Sequence, residues 1–152
     1  MSDCCCDANV QTTHKGNCCT PDGNVMLLSC SGGSNVGQLA NQACVELTRE
    51  GFGKIFCLAG IGGNLSGFVQ SAKDVQRMVV LDGCEVGCAK AIFKNAEIPL
   101  RGYVVLSREG IDKNKDFNLK RDDIDRVKEL IKNAASSQGG PEPAGQSGCC
   151  CC

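Results

Sequence analysis

The stretch NVMLLSCSGGSNVGQLANQ, residues 24–42, joins a short apolar run to a turn of small residues and then to a helical pattern. The run is continuously apolar, which is typical of a strand buried on both faces of a sheet. After the turn, Ser34 or Asn35 can cap a helix that Gly51 would end. The stretch therefore predicts a strand, a tight turn and a helix.

The same alternation continues along the middle of the chain. It predicts an α/β fold: a single three-layer domain with a mainly parallel sheet of about four strands and helices on both faces. This domain would span residues 24–134, between cysteine-rich flexible termini at 1–23 and 135–152. The other strands are predicted at 54–59, 77–82 and 103–107, and the other helices at 67–74, 85–96 and after Asp122.

The composition excludes several classes of function. A formal net charge of −1 and only 4% aromatic residues give no basic or stacking surface, so we expect no nucleic-acid partner. No apolar run approaches about 18 residues, so we expect no transmembrane segment. The start MSDCCCDANVQ lacks the features of a secretory signal, and the predicted location is the cytoplasm. The oligomeric state is left open.

Cysteine dominates the composition, with 14 residues in 152. Nine of them are adjacent to one another in the sequence, and adjacent cysteines are poorly placed to form structural disulfides. We therefore interpret them as thiolates that bind soft metal ions in a reducing compartment. We treat these nine as possible auxiliary metal ligands. They are Cys4, Cys5, Cys6, Cys18, Cys19, Cys149, Cys150, Cys151 and Cys152.

Four other cysteines lie where the predicted fold would gather them. Cys30 follows the first strand, Cys57 lies late in the second, and Cys84 follows the third. The carboxyl ends of parallel strands meet at one edge of a sheet. Cys88 comes four residues after Cys84 and would share its helical face. The pattern predicts a four-thiol site for zinc, with Cu(I), or As(III) through three thiols, as alternatives.

Each of these cysteines also has a simpler interpretation, because cysteine is a common small buried residue. Cys44, in the middle of the first helix, is interpreted in this way. His14 is the single histidine and lies in the polar arm, so a hydrolase triad is not expected.

The turns around the cysteines could support the ligands or bind an anion. Residues 32–37 have GxxxxG spacing, but Gln38 and Leu39 replace the Lys and Ser/Thr of a phosphate loop, which disfavours that interpretation. Asp82 is most simply a helix cap, and the charged stretch 113–123 a solvated loop. The candidate turn residues are Ser31, Gly32, Gly33, Ser34, Asn35, Gly62, Gly63, Asp82 and Gly83.

A second class of function also fits these cysteines. A reactive thiolate at Cys84 or Cys30 would suit a thiol-based redox enzyme or a sulfur- or metalloid-transfer enzyme. The CxxxC spacing of Cys84 and Cys88 is unusual for redox chemistry. The expected partners are a metal or metalloid ion and a protein that exchanges ions or thiols with the chain.

Four blocks of the sequence are similar to one known family. SCSGGSNVGQLANQA (29–43), CLAGIGG (57–63), LDGCEVGCAK (81–90) and GIDKNKDFNL (110–119) resemble, in this order, the DGC-domain family, named for its Asp-Gly-Cys motif. The resemblance covers about residues 24–134. It implies zinc binding through Cys30, Cys57, Cys84 and Cys88, with Asp82 and Gly83 completing the motif. It implies no particular reaction.

The terminal cysteine clusters are not part of that family pattern. They could be auxiliary ligands for a metal or metalloid, residues without fixed partners, or lipidation sites. The run Cys149–Cys152 lacks the aliphatic positions of a prenylation box.

Overall fold

The computed structural model describes residues 25–138. These residues form four strands and five α-helices that alternate along the chain, which confirms the predicted α/β class. The elements are β1 Val25–Ser29, α1 Asn35–Arg49, β2 Gly53–Ile55, α2 Leu58–Gly62, α3 Ser66–Asp74, β3 Met78–Asp82, α4 Cys88–Asn95, β4 Tyr103–Val105 and α5 Arg121–Ser136, with a 3-10 helix at Leu106–Glu109.

The sheet is parallel throughout and has the strand order β2-β1-β3-β4. All five residues of β3 are buried, which explains its continuously apolar sequence. The second strand is shorter than predicted, because the chain turns into α2 after the Phe56 amide donates to the Leu27 carbonyl at 2.8 Å. Cys57 therefore lies beyond the strand end, immediately before α2.

A hydrophobic core lies on each face of the sheet. Leu27 and Leu81 face the core that α1 and α5 cover, whereas Leu28 and Val80 face the core that α2, α3 and α4 cover. Successive strand residues point to opposite faces, so both faces need apolar residues. The predicted three-layer arrangement follows from these two cores.

The helix after β3 starts later than predicted. α4 begins at Cys88, because Gly87 adopts a left-handed conformation with φ +69° that a helix cannot continue through. Cys84 lies in the preceding turn, where its carbonyl accepts from the Gly87 amide at 3.2 Å. The prediction that Cys84 and Cys88 share one helical face was wrong.

The described chain begins and ends at the amino edge of the sheet. Val25 opens β1 opposite Gly53, the first residue of β2. After α5, the Gln138 side chain donates to the Met78 carbonyl at 2.6 Å and accepts from the Met78 amide at 3.2 Å. The nine cysteines of the terminal clusters, and His14, lie outside the described residues. Between residues 25 and 138 no helix combines the length and apolarity needed to cross a bilayer.

Candidate functional site

A cavity of about 240 Å³ opens at the carboxyl edge of the sheet, between the β1–α1 and β3–α4 connections. Three of the four predicted site cysteines, Cys30, Cys84 and Cys88, line it. The strands that precede Cys30 and Cys84 are the adjacent central pair β1 and β3, which brings the two turns together. The other lining residues are Gly32, Gly33, Ser34, Gly37, Gly83, Val86, Lys113 and Lys115.

Cys57 does not line this cavity. It is exposed and lines a neighbouring cavity with Ser29, Ser31 and Asn41. Its strand β2 lies on the far side of β1 from β3, so Cys30 stands between Cys57 and Cys84 in strand order. In the part of the chain that is described, no group of three His, Cys, Asp or Glu side chains is placed to hold a metal ion. A shared ion would therefore require the three cavity thiols to turn toward a common point.

Three glycines allow the cysteine-bearing turns to approach closely. A β-carbon on Gly83 would lie 2.7 Å from the Gly37 nitrogen, and one on Gly37 would lie 2.7 Å from the Gly32 nitrogen. Contacts this short exclude any side chain unless the backbone moves. The glycine of the Asp-Gly-Cys sequence therefore packs the Cys84 turn against the first turn of α1.

The aspartate of the same sequence holds the start of α4. Asp82 is 1% exposed, and its two carboxylate oxygens accept from the amides of Ala89 at 2.8 Å and Lys90 at 3.0 Å. The Tyr103 hydroxyl also donates to this carboxylate, at 2.9 Å. Asp82 thus caps the helix as predicted, but from the end of β3, because Gly87 occupies the N-cap position. Burial and the bond to Asp82 raise the pKa of Tyr103.

The electrostatic setting of Cys88 shows that the cavity thiols influence one another. Burial raises the pKa of Cys88, and the nearby Cys30, Asp82 and Cys84 raise it further. Burial and neighbouring negative charge therefore both disfavour a thiolate at Cys88, and a bound cation would offset both effects.

Cys44 has a different setting from the cavity cysteines. It lies on the buried face of α1 and is completely buried in the core. Burial raises its pKa to about 12 despite a hydrogen bond with Ser29. These features fit the prediction that Cys44 is a packing residue.

Two lysines complete the cavity, and sequence reasoning missed them. The Lys113 Nζ lies 3.3 Å from the Cys84 sulfur, and the Lys115 Nζ donates to the Gly33 carbonyl at 2.6 Å. The buried Asn35 holds their loop, since its side chain donates to the Asp112 carbonyl at 2.8 Å and accepts from the Asn114 amide at 2.7 Å. The stretch 113–123 was predicted to be a solvated loop, because its charged residues do not indicate the hydrogen bonds that join it to Asn35 in α1.

The remaining candidate turn residues lie in different places. Gly62 and Gly63 are at the end of α2, where Gly62 packs near Ile92, and neither lines the cysteine cavity. Ser31 lines the cavity of Cys57. The turn residues that do line the cysteine cavity are Gly32, Gly33, Ser34 and Gly83.

The fold and the site together define an α/β protein with a thiol-lined cavity at the carboxyl edge of a parallel sheet. The family model of the DGC domain matches residues 26–131, so the chain belongs to the DGC domain family. The chain is also 32% identical, over 109 residues, to the anaerobic and virulence modulator AnvM of Pseudomonas aeruginosa (strain PAO1). That alignment covers 71% of this chain and 83% of the relative. No solved structure matches the chain.

Proposed function

We propose that the chain binds zinc or another thiophilic ion through Cys30, Cys84 and Cys88. The observation that carries this proposal is that the three thiols line one cavity at the carboxyl edge of the sheet. Thiolates are the preferred ligands of zinc and of softer ions such as Cu(I) and As(III). A bound ion would favour the thiolate forms and so offset the burial and the neighbouring charges that raise the pKa of Cys88.

The fourth predicted ligand has a different part in this proposal. Cys57 lines another cavity and would join the site only if the segment between β2 and α2 moved. Three thiols suffice for As(III), and on zinc they leave one position open. The proposed role is therefore handling of an ion that can enter and leave, in a reducing compartment such as the cytoplasm, with transfer to a protein partner.

The test is a count of metal and thiols. The full chain is purified without oxygen, and a second version carries serine in place of all nine terminal cysteines. We expect one zinc per chain in both, lost when Cys30, Cys84 or Cys88 is changed to serine and kept in Cys57→Ser. Circular dichroism checks that each variant folds. A folded, metal-free protein once the nine terminal cysteines are serine would contradict the proposal.

A second candidate function is supported by one contact. The Lys113 ammonium lies 3.3 Å from the Cys84 sulfur, and a neighbouring cation is a common setting of reactive cysteines in thiol-based enzymes. In metal-free protein, this candidate predicts that iodoacetamide modifies Cys84 faster than the exposed Cys57, and that Lys113→Gln slows Cys84 alone. Equal rates at the two cysteines would exclude it.

A further inference from the structure

We propose that the cysteine cavity also binds a small inorganic oxyanion, held by Lys113 and Lys115 beside the thiols. The inference concerns the same cavity as the proposed function, and it does not require a bound metal.

The side chains that line the cavity give it a positive charge. Two ammonium groups line it, and no carboxylate is among its lining residues. The carboxylate of Asp82 is buried and already accepts three hydrogen bonds. Glu85, in the Cys84 turn, pairs with Arg108 at 3.0 Å. An anion that enters therefore meets two ammonium groups and no lining carboxylate, and the charge of the buried Asp82 opposes it from beneath the cavity wall.

The backbone on either side of Lys113 is held in place before any ligand arrives. The hydrogen bonds of Asn35 fix Asp112 and Asn114, the residues on either side of Lys113. The Asn35 amide adds a third bond, to the Asn114 carbonyl at 3.1 Å. A lysine presented from a fixed backbone loses less conformational entropy on binding than one on a free loop.

The start of α1 adds to the lysine pair. Gly33, Ser34 and Gly37 line the cavity at the beginning of this 15-residue helix, whose amino end carries a partial positive charge. A β-carbon on Gly33 would meet no atom within 4 Å, so this side of the cavity is open to a ligand.

The size of the cavity limits the ligand class. Its volume of about 240 Å³ lies below the roughly 300–1,000 Å³ of pockets that take drug-sized ligands. A tetrahedral oxyanion and a few water molecules fit this space. The thiols would then stand next to an anion whose central atom is phosphorus, sulfur or arsenic.

Calorimetric titration of the full chain tests the inference. The reduced, metal-free protein is titrated with sodium phosphate or sodium sulfate, with sodium chloride at equal ionic strength as the reference. We expect saturable binding of the oxyanions, weakened about tenfold by each of Lys113→Gln and Lys115→Gln, since each removes one charge-assisted hydrogen bond. Lys94→Gln, at the far end of α4, should leave the affinity unchanged.

The outcomes separate this inference from the proposed function. Absence of saturable oxyanion binding, or equal affinity in the Lys113→Gln/Lys115→Gln double variant and the wild type, overturns the inference. Zinc is counted on samples of the wild-type preparation that are set aside before the metal is removed for the titration. Lysine-dependent phosphate binding by a chain that retains no zinc contradicts the metal proposal alone, and retained zinc without phosphate binding contradicts the inference alone.

Discussion

Gly83 and Gly37 touch backbone to backbone, so that a β-carbon on Gly83 would lie 2.7 Å from the Gly37 nitrogen and 2.8 Å from the Val36 carbonyl carbon. This contact lets the turn that carries Cys84 rest on the first turn of α1. The two walls of the cavity are set by this contact as much as by the strands beneath them.

Gly83→Ala should destabilise the fold. The added methyl group would force the two turns apart, and overpacking of this kind costs about 1–3 kcal/mol. Urea unfolding measures the change. Gly67→Ala in α3 is the matched control, because a β-carbon there meets no atom within 4 Å and alanine favours a helix by up to about 1 kcal/mol. Equal destabilisation by the two substitutions would contradict the close contact.

Asp82→Asn should loosen the start of α4. Asparagine keeps one acceptor but turns its amide toward the second backbone donor, which leaves a buried group unpaired at a cost of about 1–3 kcal/mol. Tyr103→Phe removes one hydrogen bond and should cost about 1 kcal/mol. Hydrogen exchange at Ala89 and Lys90 should become faster in Asp82→Asn. Unchanged exchange at both amides would show that the carboxylate does not hold the helix.

Cys44 should resist thiol reagents in the folded protein. It is completely buried and its pKa is about 12, so at pH 8 it is both inaccessible and neutral. Iodoacetamide labelling followed by mass spectrometry should find Cys44 unmodified until urea unfolds the chain. The exposed Cys57 is the internal control and should react in native conditions. Labelling of Cys44 at the rate of Cys57 would contradict its burial.

Acid should weaken the contact between α1 and α5. Arg121 donates to both carboxylate oxygens of Glu46, at 3.0 and 2.6 Å, and this pairing lowers the pKa of Glu46 from 4.5 to about 2. A lowered pKa in the fold means that the pairing stabilises the protein above pH 4.5, and that this contribution declines as the pH falls toward 2.

Glu46→Gln removes this titration. Urea unfolding between pH 6 and pH 2 should therefore show a shallower loss of stability in Glu46→Gln than in the wild type. The difference should be small, because Arg121 is largely exposed to solvent. Parallel pH profiles for the two proteins would show that the ion pair does not contribute.

Asn35→Ala should free the loop that carries the two cavity lysines. The substitution removes the side-chain bonds to Asp112 and Asn114 while leaving the backbone of α1 in place. We expect a loss of about 1–3 kcal/mol and faster hydrogen exchange at Asn114. Asn118→Ala is the matched control, since that exposed side chain bonds only to Asp116 and should change stability by less than about 0.5 kcal/mol. Similar hydrogen exchange at Asn114 in both variants would show that the Asn35 side chain does not hold this loop.

The fold followed from the sequence because its signals were local and repeated. Continuous apolar runs such as 77–82 indicated buried strands, and the helical patterns between them required parallel pairing. The edge strand β2 was predicted too long, because the apolar residues that follow Ile55 suit the start of a helix as well as a strand. The start of α4 was misplaced because the left-handed conformation of Gly87 has no sequence signal that separates it from other glycines.

The site was only partly predictable. Strand ends placed Cys30 and Cys84 correctly at one edge, but the strand order that separates Cys57 from Cys84 depends on long-range packing. Lys113 and Lys115 reach the cavity through the side chain of Asn35, which is 79 residues away from Asn114 along the chain. A contact between residues so far apart in the sequence produces no periodic pattern from which it could be predicted.

The described residues begin and end at the amino edge of the sheet, so a terminal thiol that reached the cavity would compete there as a tethered ligand. Cys149 follows Gln138 by 11 residues, which span about 36 Å at full extension, whereas a five-residue strand is about 17 Å long. A thiol tethered within such a radius would meet the cavity at an effective concentration that the linker length sets. Exchange of an ion between the core and its own terminal cysteines would then proceed at the same rate however dilute the protein becomes.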